Sequence, residues 1–422
     1  MISLLAPALQ KFYSALKSLE RFSTENSFFD NTSSIDTFLS EFRSVTFALQ
    51  TSLGRKDHPD YIKNRDTILA KDPIISKWLN DQRVTIIHQH PFSLKKIIRV
   101  VVYDSGNAVV LKKYEQSVEQ EEPFGDYLQV VRNSFLAIQM PEIYFSAQYL
   151  FVEQEDLKER SIFEFIDSGI LSMWKFLHAM KVDLKENSEI ANKLMAEIDG
   201  IVKLMPQRWM LDVVDYCYYK SDDSFEKGES FTFMQPDIPM LVAPFVEEVQ
   251  KMSTTVKDFY DAFIYLHTWI YVQQKHHIMS TFFVEYEDGT YRMISFLATI
   301  RTTMYRYINR VAHMVDEGNV INVYLVTETV GYGGFGMNAI SKFLQLNYKE
   351  KMAYRTKTFL SFYKINQVGG IESAVMDADA LVDRLSVSVA MGNMKSPAEF
   401  TVYNVMLTPV VESFKKKLAA IS

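Results

Sequence analysis

The stretch "KIIRVVVYDSGNAVVLKKY", Lys96 to Tyr114, is where the chain changes character. Two β-branched runs flank Asp104-Ser105-Gly106-Asn107, and that pattern predicts a β-hairpin. Everything before it reads as helix, and much of the chain after it alternates strand with helix. A boundary therefore falls near residue 94, and the fold class is α+β multidomain.

Upstream, "SSIDTFLSEFRSVTFALQ" places Ile35, Phe38, Leu39, Phe42, Val45 and Leu49 on one helical face. Ser34 is the expected N-cap, because its hydroxyl can accept from a free amide of the first turn. Asp36 adds negative charge near the positive helix end. "TENSFFDN" and "GRKDHPD" read as flanking loops. A further helix is expected from about Pro73, a residue suited to a first turn, to about His90, where Pro91 disfavours helical geometry.

Downstream, residues 95–240 form a mixed middle region. It holds a strand at "EIYFSAQYLFV", helices near 157–181 and 187–204, and a polar loop at "SDDSFEKGES". Residues 241–422 open on a helical stretch to about His277. "STFFVEYEDGTYRMISF" comes next, with a tight hairpin at Asp288-Gly289. Then come a helix at 296–316, a strand "VINVYLVTETV", a helix near 337–349, a strand "TKTFLSFYKI", and a strand and helix from "FTVYNVML". Alternation of this kind predicts an α/β or α+β layer.

Composition limits the function classes. Hydrophobic residues make up 48% and charged residues 23% of the 422, which places the chain among folded proteins rather than disordered ones. A net charge of −7 argues against a general nucleic-acid coat, while leaving room for a local basic groove. The single cysteine, Cys217, rules out a disulfide framework or a cysteine-rich zinc site within one chain, and a cytoplasmic setting is expected. The N-terminus is a poor signal peptide and no run is long and apolar enough to span a membrane, so no membrane association is expected.

The chemistry concentrates in "WLNDQRVTIIHQHPF", Trp78 to Phe92. Arg83 lies four residues beyond Leu79 on a face shared with Ile75 and Ile86, so it must find partners or lie along a cleft. His88 is five residues on, about 140° around an ideal helix, and His90 is back on the arginine's side. The two stretches together, "DTFLSEFRSVTFALQ" and then a tryptophan and "RVTIIHQHPF", resemble the HEPN fold (higher eukaryotes and prokaryotes nucleotide-binding domain). The resemblance covers roughly residues 5–95. It implies a small helical bundle at residues 1–94, and an Arg-x₄-His motif made of Arg83 and His88, with His90 and Glu41 as secondary candidates. Active members often carry asparagine where this chain has Val84.

The resemblance further implies an RNA-binding protein or a metal-independent endoribonuclease, without cofactor. Such an enzyme usually works as a homodimer whose motif helices share one cleft, and it belongs to a defence or toxin-type system. Histidine suits acid–base work near neutral pH, and the arginine fork suits the crowded charge on phosphorus. Two other readings stand beside it. Arg83 can pair with Glu41 or Asp36 of the neighbouring helix, with a histidine placed at a helix C-terminus by the dipole. The bundle can equally serve a non-enzymatic dimerising scaffold.

Further candidates lie elsewhere in the chain. Arg301, Arg306 and Arg310, interleaved with Tyr305 and Tyr307, form a candidate RNA-contacting face, against the commoner solvated helix face. "GYGGFG", Gly331 to Gly336, matches a dinucleotide-binding turn but lacks the acidic residue after the next strand, which favours a plain glycine loop. His276 and His277 are adjacent, a poor metal pair, and no metal site is expected. Glu328 is expected to meet Arg355 across the sheet.

Overall fold

The computed structural model describes residues 3–22, 27–54, 57–71, 77–82, 84, 92, 94–117, 124–135, 138, 140–153, 162–210, 213–234, 240–274, 277–333, 342–343, 346–383, 386–387, 390–391 and 405–421. They form a mixed α+β architecture with a helical N-terminal region and two antiparallel sheets. The chain divides into two compact units. The first holds residues 1–99, 115–129 and 148–213, and the second holds 100–114, 130–147 and 214–422. These units cut across the expected boundaries at 94 and 240, because helices from the middle of the chain join the N-terminal ones.

The first unit is a helical bundle. It contains α1 (Ala6–Leu19), α2 (Phe28–Ser52), α3 (Pro59–Thr67), α5 (Ile162–Asp183) and α6 (Glu189–Met210), with helical residues at 77–82 and 84. α4 is Phe124–Phe135. The six apolar positions of α2 expected to share a face are all buried. They meet Phe12 of α1 and Trp174 of α5, with the Phe12 ring 6.0 Å from Phe42 and 6.3 Å from Trp174.

α2 starts earlier than its periodicity indicates. Ser27, not Ser34, is the N-cap, and its hydroxyl accepts from the Asp30 amide at 3.3 Å. Ser34 lies inside the helix and donates to the Asp30 carbonyl at 2.9 Å. The cap thus lies in the polar stretch read as a loop, where no apolar repeat marks the helix.

Trp78 anchors the short helix to the bundle, 5.3 Å from Phe165 and 6.3 Å from Phe92 between ring centroids. A side chain at Gly169 would reach within 2.5 Å of the Leu79 Cδ1 atom, so the glycine is what lets α5 approach this helix. At the other end of the bundle, Glu186 accepts from the Ser3 hydroxyl at 2.9 Å and from the Leu4 amide at 3.0 Å.

The strands form two sheets. The first has the order β2-β1-β3-β4-β5, where β1 is Leu94–Tyr103, β2 Val110–Ser117, β3 Glu142–Glu153, β4 Val213–Tyr219 and β5 Ser224–Lys227. β1 and β2 form the expected hairpin, closed by the Ala108 amide donating to the Asp104 carbonyl at 3.0 Å. The stretch read as a polar loop instead carries β5, paired with β4.

The second sheet has the order β12-β11-β10-β8-β9-β6. Here β6 is Ser230–Met234, β8 Ser280–Tyr286, β9 Thr290–Ala298, β10 Val320–Tyr332, β11 Arg355–Asn366 and β12 Ile371–Asp377; the two-residue β7, Met240–Leu241, adds to β9. The Asp288-Gly289 turn joins β8 to β9 as expected, with Gly289 at φ 78°.

One face of this sheet carries α7 (Val242–Gln250) and α8 (Phe259–Gln273), whose Phe259 and Phe263 pack on Phe283 and Tyr324. The expected single helix to His277 is thus two, since residues 251–258 hold no apolar repeat. The other face carries α9 (Arg301–Glu317), where Tyr307 stacks on Phe296 at 4.1 Å. α9 packs along α11 (Thr408–Ile421), and α10 is Tyr348–Met352.

α9 also touches the five-stranded sheet. Tyr305 packs on Tyr103 and Tyr144, 6.2 and 5.3 Å between centroids, and donates to the Ser105 carbonyl at 2.8 Å. Residues two apart on a helix point about 200° apart. The Tyr305–Tyr307 pair therefore seats α9 between the two sheets.

Candidate functional site

Arg83, His88 and His90 lie outside the described residues. Around them, Val84 is 41% exposed, while Trp78 and Gln82 are buried. Glu41, on α2, is paired with Lys11 of α1 at 3.0 Å. Asp36 accepts from the Phe92 amide at 3.0 Å, and burial raises its carboxyl above the ordinary range against the lowering effect of that bond. Glu41 is therefore engaged with α1, and Asp36 with the segment after Pro91.

The three arginines of α9 do not form one outward face. Arg306 makes a forked contact with Asp215 of β4, its Nε at 2.9 Å from Oδ1 and its Nη2 at 2.8 Å from Oδ2. Asp215 is 2% exposed and also accepts from the Thr303 hydroxyl at 2.7 Å. Burial works against the arginine's charge, but Asp215 outweighs it and holds the guanidinium above its ordinary value. A guanidinium committed in this way is not offered to phosphate, which corrects the reading of Arg306 as an RNA contact. Arg310 is half-buried one turn further on.

Arg301 opens α9 and lines a cavity of about 240 Å³ in the second unit. Cys217 and Tyr219 of β4, Glu226 of β5 and Tyr144 of β3 line it too, with Thr299, Ile300 and Met352. The sheet explains why these residues converge. Cys217 and Tyr219 are two apart on β4 and so share a face, and Glu226 is the cross-strand partner of Cys217. Gly228 permits the close approach of Ile300, whose side chain would lie 2.6 Å from a Cβ there. The Thr302 hydroxyl donates to the Tyr216 carbonyl at 2.7 Å and so ties the start of α9 to β4.

The site's electrostatics are mixed. The Tyr219 hydroxyl donates to Glu226 at 2.7 Å, and the Tyr144 hydroxyl donates to the buried Glu142 at 2.6 Å. Burial, reinforced by those carboxylates, raises both phenols well above their ordinary value. Burial pushes Tyr305 up to about 12, against the lowering effect of Arg301. Burial also lowers the Lys351 ammonium, which feels both Glu142 and Arg301. Two cations and two carboxylates thus meet at one end of α9, in surroundings that favour directed hydrogen bonds over solvation.

The sequence singles out Arg301, though as part of an RNA face, and gives no notice of Glu142, Tyr144, Cys217, Tyr219 and Glu226. One signal is present in "EIYF", where Glu142 and Tyr144 stand two apart and so share a strand face.

The remaining candidates separate. Glu328 accepts from the Ile278 amide at 3.0 Å rather than meeting Arg355, whose Nη2 donates to Thr358 at 2.6 Å. In register Glu328 faces Leu360, while Arg355 faces Tyr332, four positions further along β10. Gly331 and Tyr332 end β10, and Gly334 to Gly336 lie outside the described residues, as does His276; His277 is exposed. Among the described residues no helix is long and apolar enough to cross a membrane. No family model, no curated protein and no solved structure matches the chain.

Proposed function

We propose that the helical bundle is the half-site of a HEPN-type endoribonuclease, with Arg83 holding the phosphate and His88 moving protons. It acts as a cytoplasmic homodimer that joins two such half-sites. One observation supports this reading. The apolar face of α2 and three described residues of the second stretch, Trp78, Leu79 and Phe92, meet in a single core. Leu39, Phe42 and Leu79 line one pocket of about 110 Å³, Trp78 packs on Phe92, and Asp36 holds the Phe92 amide. The helical residues 77–82 are thereby held against α2, and Val84 is exposed.

In this reading His88 of two chains supplies the base for the ribose 2′-hydroxyl and the acid for the leaving oxygen. The experiment is degradation of a mixed-sequence single-stranded RNA in EDTA. The wild type should cleave it, and His88→Ala and Arg83→Ala should each lose at least a hundredfold in rate. Equal rates in wild type and His88→Ala, or no cleavage by either, would overturn the catalytic reading and leave the bundle as a dimerising scaffold. Sedimentation of the full chain tests the homodimer separately.

A further inference from the structure

We propose that the cavity at the start of α9 binds a small zwitterion of the amino-acid type, its carboxylate against Arg301 and its ammonium against Glu226. The proposal is independent of the ribonuclease reading, since every residue it uses lies in the second unit.

Size sets the first bound. A volume of about 240 Å³ is below the roughly 300–1,000 Å³ of pockets that take drug-sized ligands. At roughly 30 Å³ per water molecule it holds on the order of eight waters. That suits a compact metabolite.

Charge sets the second bound. Arg301 and Glu226 both line the cavity, and Glu142 and Lys351 lie within electrostatic reach of Arg301. An anion alone would enter against two carboxylates, and a cation alone against a guanidinium and an ammonium. A ligand carrying both charges meets a partner at each end and loses least on leaving water.

The Tyr219 hydroxyl donates to the Glu226 carboxylate at 2.7 Å, which fixes the orientation of that group before a ligand arrives. The start of α9 adds to the anion end. Its N-cap, Ile300, lines the cavity and brings no side-chain cap to the first-turn amides. Ile300 and Met352 add apolar lining for a side chain of modest size.

The test is thermal denaturation and calorimetric titration of the full chain with each proteinogenic L-amino acid. For any that bind, the corresponding amine and the corresponding 2-hydroxy acid are titrated as well. At least one amino acid should raise the melting temperature, and neither its amine nor its hydroxy acid should match its affinity. Glu226→Gln, a near-isosteric change at a half-exposed position, should weaken binding at least tenfold with the circular dichroism unchanged. Arg301→Gln should weaken it further. No response to any amino acid, an unchanged Kd in Glu226→Gln, or a hydroxy acid that binds as tightly as the amino acid would overturn the proposal.

Discussion

The helical bundle and the sheet unit solve the same packing problem with different materials. In the bundle, buried apolar side chains from α1, α2, α5 and α6 form one cluster, and the charged contacts lie at its margins, as in Lys11–Glu41 and Glu186 with Ser3 and Leu4. In the sheet unit the charged and titratable groups go inside. Asp215, paired with the mostly enclosed Arg306, Glu142 with Tyr144, and His267 against the Phe263 carbonyl are buried. Each unit is therefore vulnerable in its own way. Apolar packing spreads its contribution over many contacts, whereas a buried charge concentrates it in one partner.

Asp215→Ala puts this contrast to its hardest test. It strands Arg306 and the Thr303 hydroxyl in the interior and should cost about 3–5 kcal/mol, read by urea unfolding. The double variant Asp215→Leu with Arg306→Met should recover most of that loss. If the single variant costs under about 1 kcal/mol, the buried pair is not what holds α9 to β4.

Next is acid. His267 is fully enclosed, and burial lowers its imidazole to about 4, against the raising effect of its bond to Phe263. The folded state therefore resists protonation, while the unfolded chain takes the proton near pH 6.5. Stability of the sheet unit should be complete above that pH and fall as pH drops from 6.5 towards 4, by roughly 3 kcal/mol. Hydrogen exchange of the α8 amides across that range should show the fall in the wild type and a much flatter profile in His267→Phe. An identical slope in both would remove His267 as its source.

The smallest effect belongs to the bundle's margin. Burial opposes the charge on Glu186, but bonds from Ser188, Ser3 and Leu4 hold its carboxyl at about 2. Its stabilisation is present above pH 4.5 and is lost as pH falls from there through 2. Because the residue is partly solvated, Glu186→Gln should cost only about 1 kcal/mol at neutral pH. That loss should appear as faster exchange at the start of α1, with the rest of the bundle unchanged.

The same contrast governs how much of the fold is legible along the chain. The α2 face, the Asp104–Asn107 hairpin, the Asp288-Gly289 turn and the strands β3, β10 and β11 can be read because each depends on a periodicity or a turn residue within a few positions. β12 cannot, since "IESAVMD" shows no clear alternation of apolar and polar residues. The helix expected at 296–316 begins later, at Arg301, because β9 and α9 nearly abut and both are rich in apolar residues.

Which segments become helix or strand, and which of their faces seek a core, is largely written in the chain itself, because local steric preference and side-chain period need no distant partner. The richness of α9 in arginine and tyrosine is written there as well. What those arginines do is settled only in three dimensions. Asp215 lies 91 positions from Arg306, and the Glu226 that shares a cavity with Arg301 stands on a strand that reads as loop. That α5 and α6 complete the N-terminal bundle is likewise a matter of tertiary packing. A buried charge is matched by whichever group the folded chain brings to it, and that choice is made across the chain rather than along it.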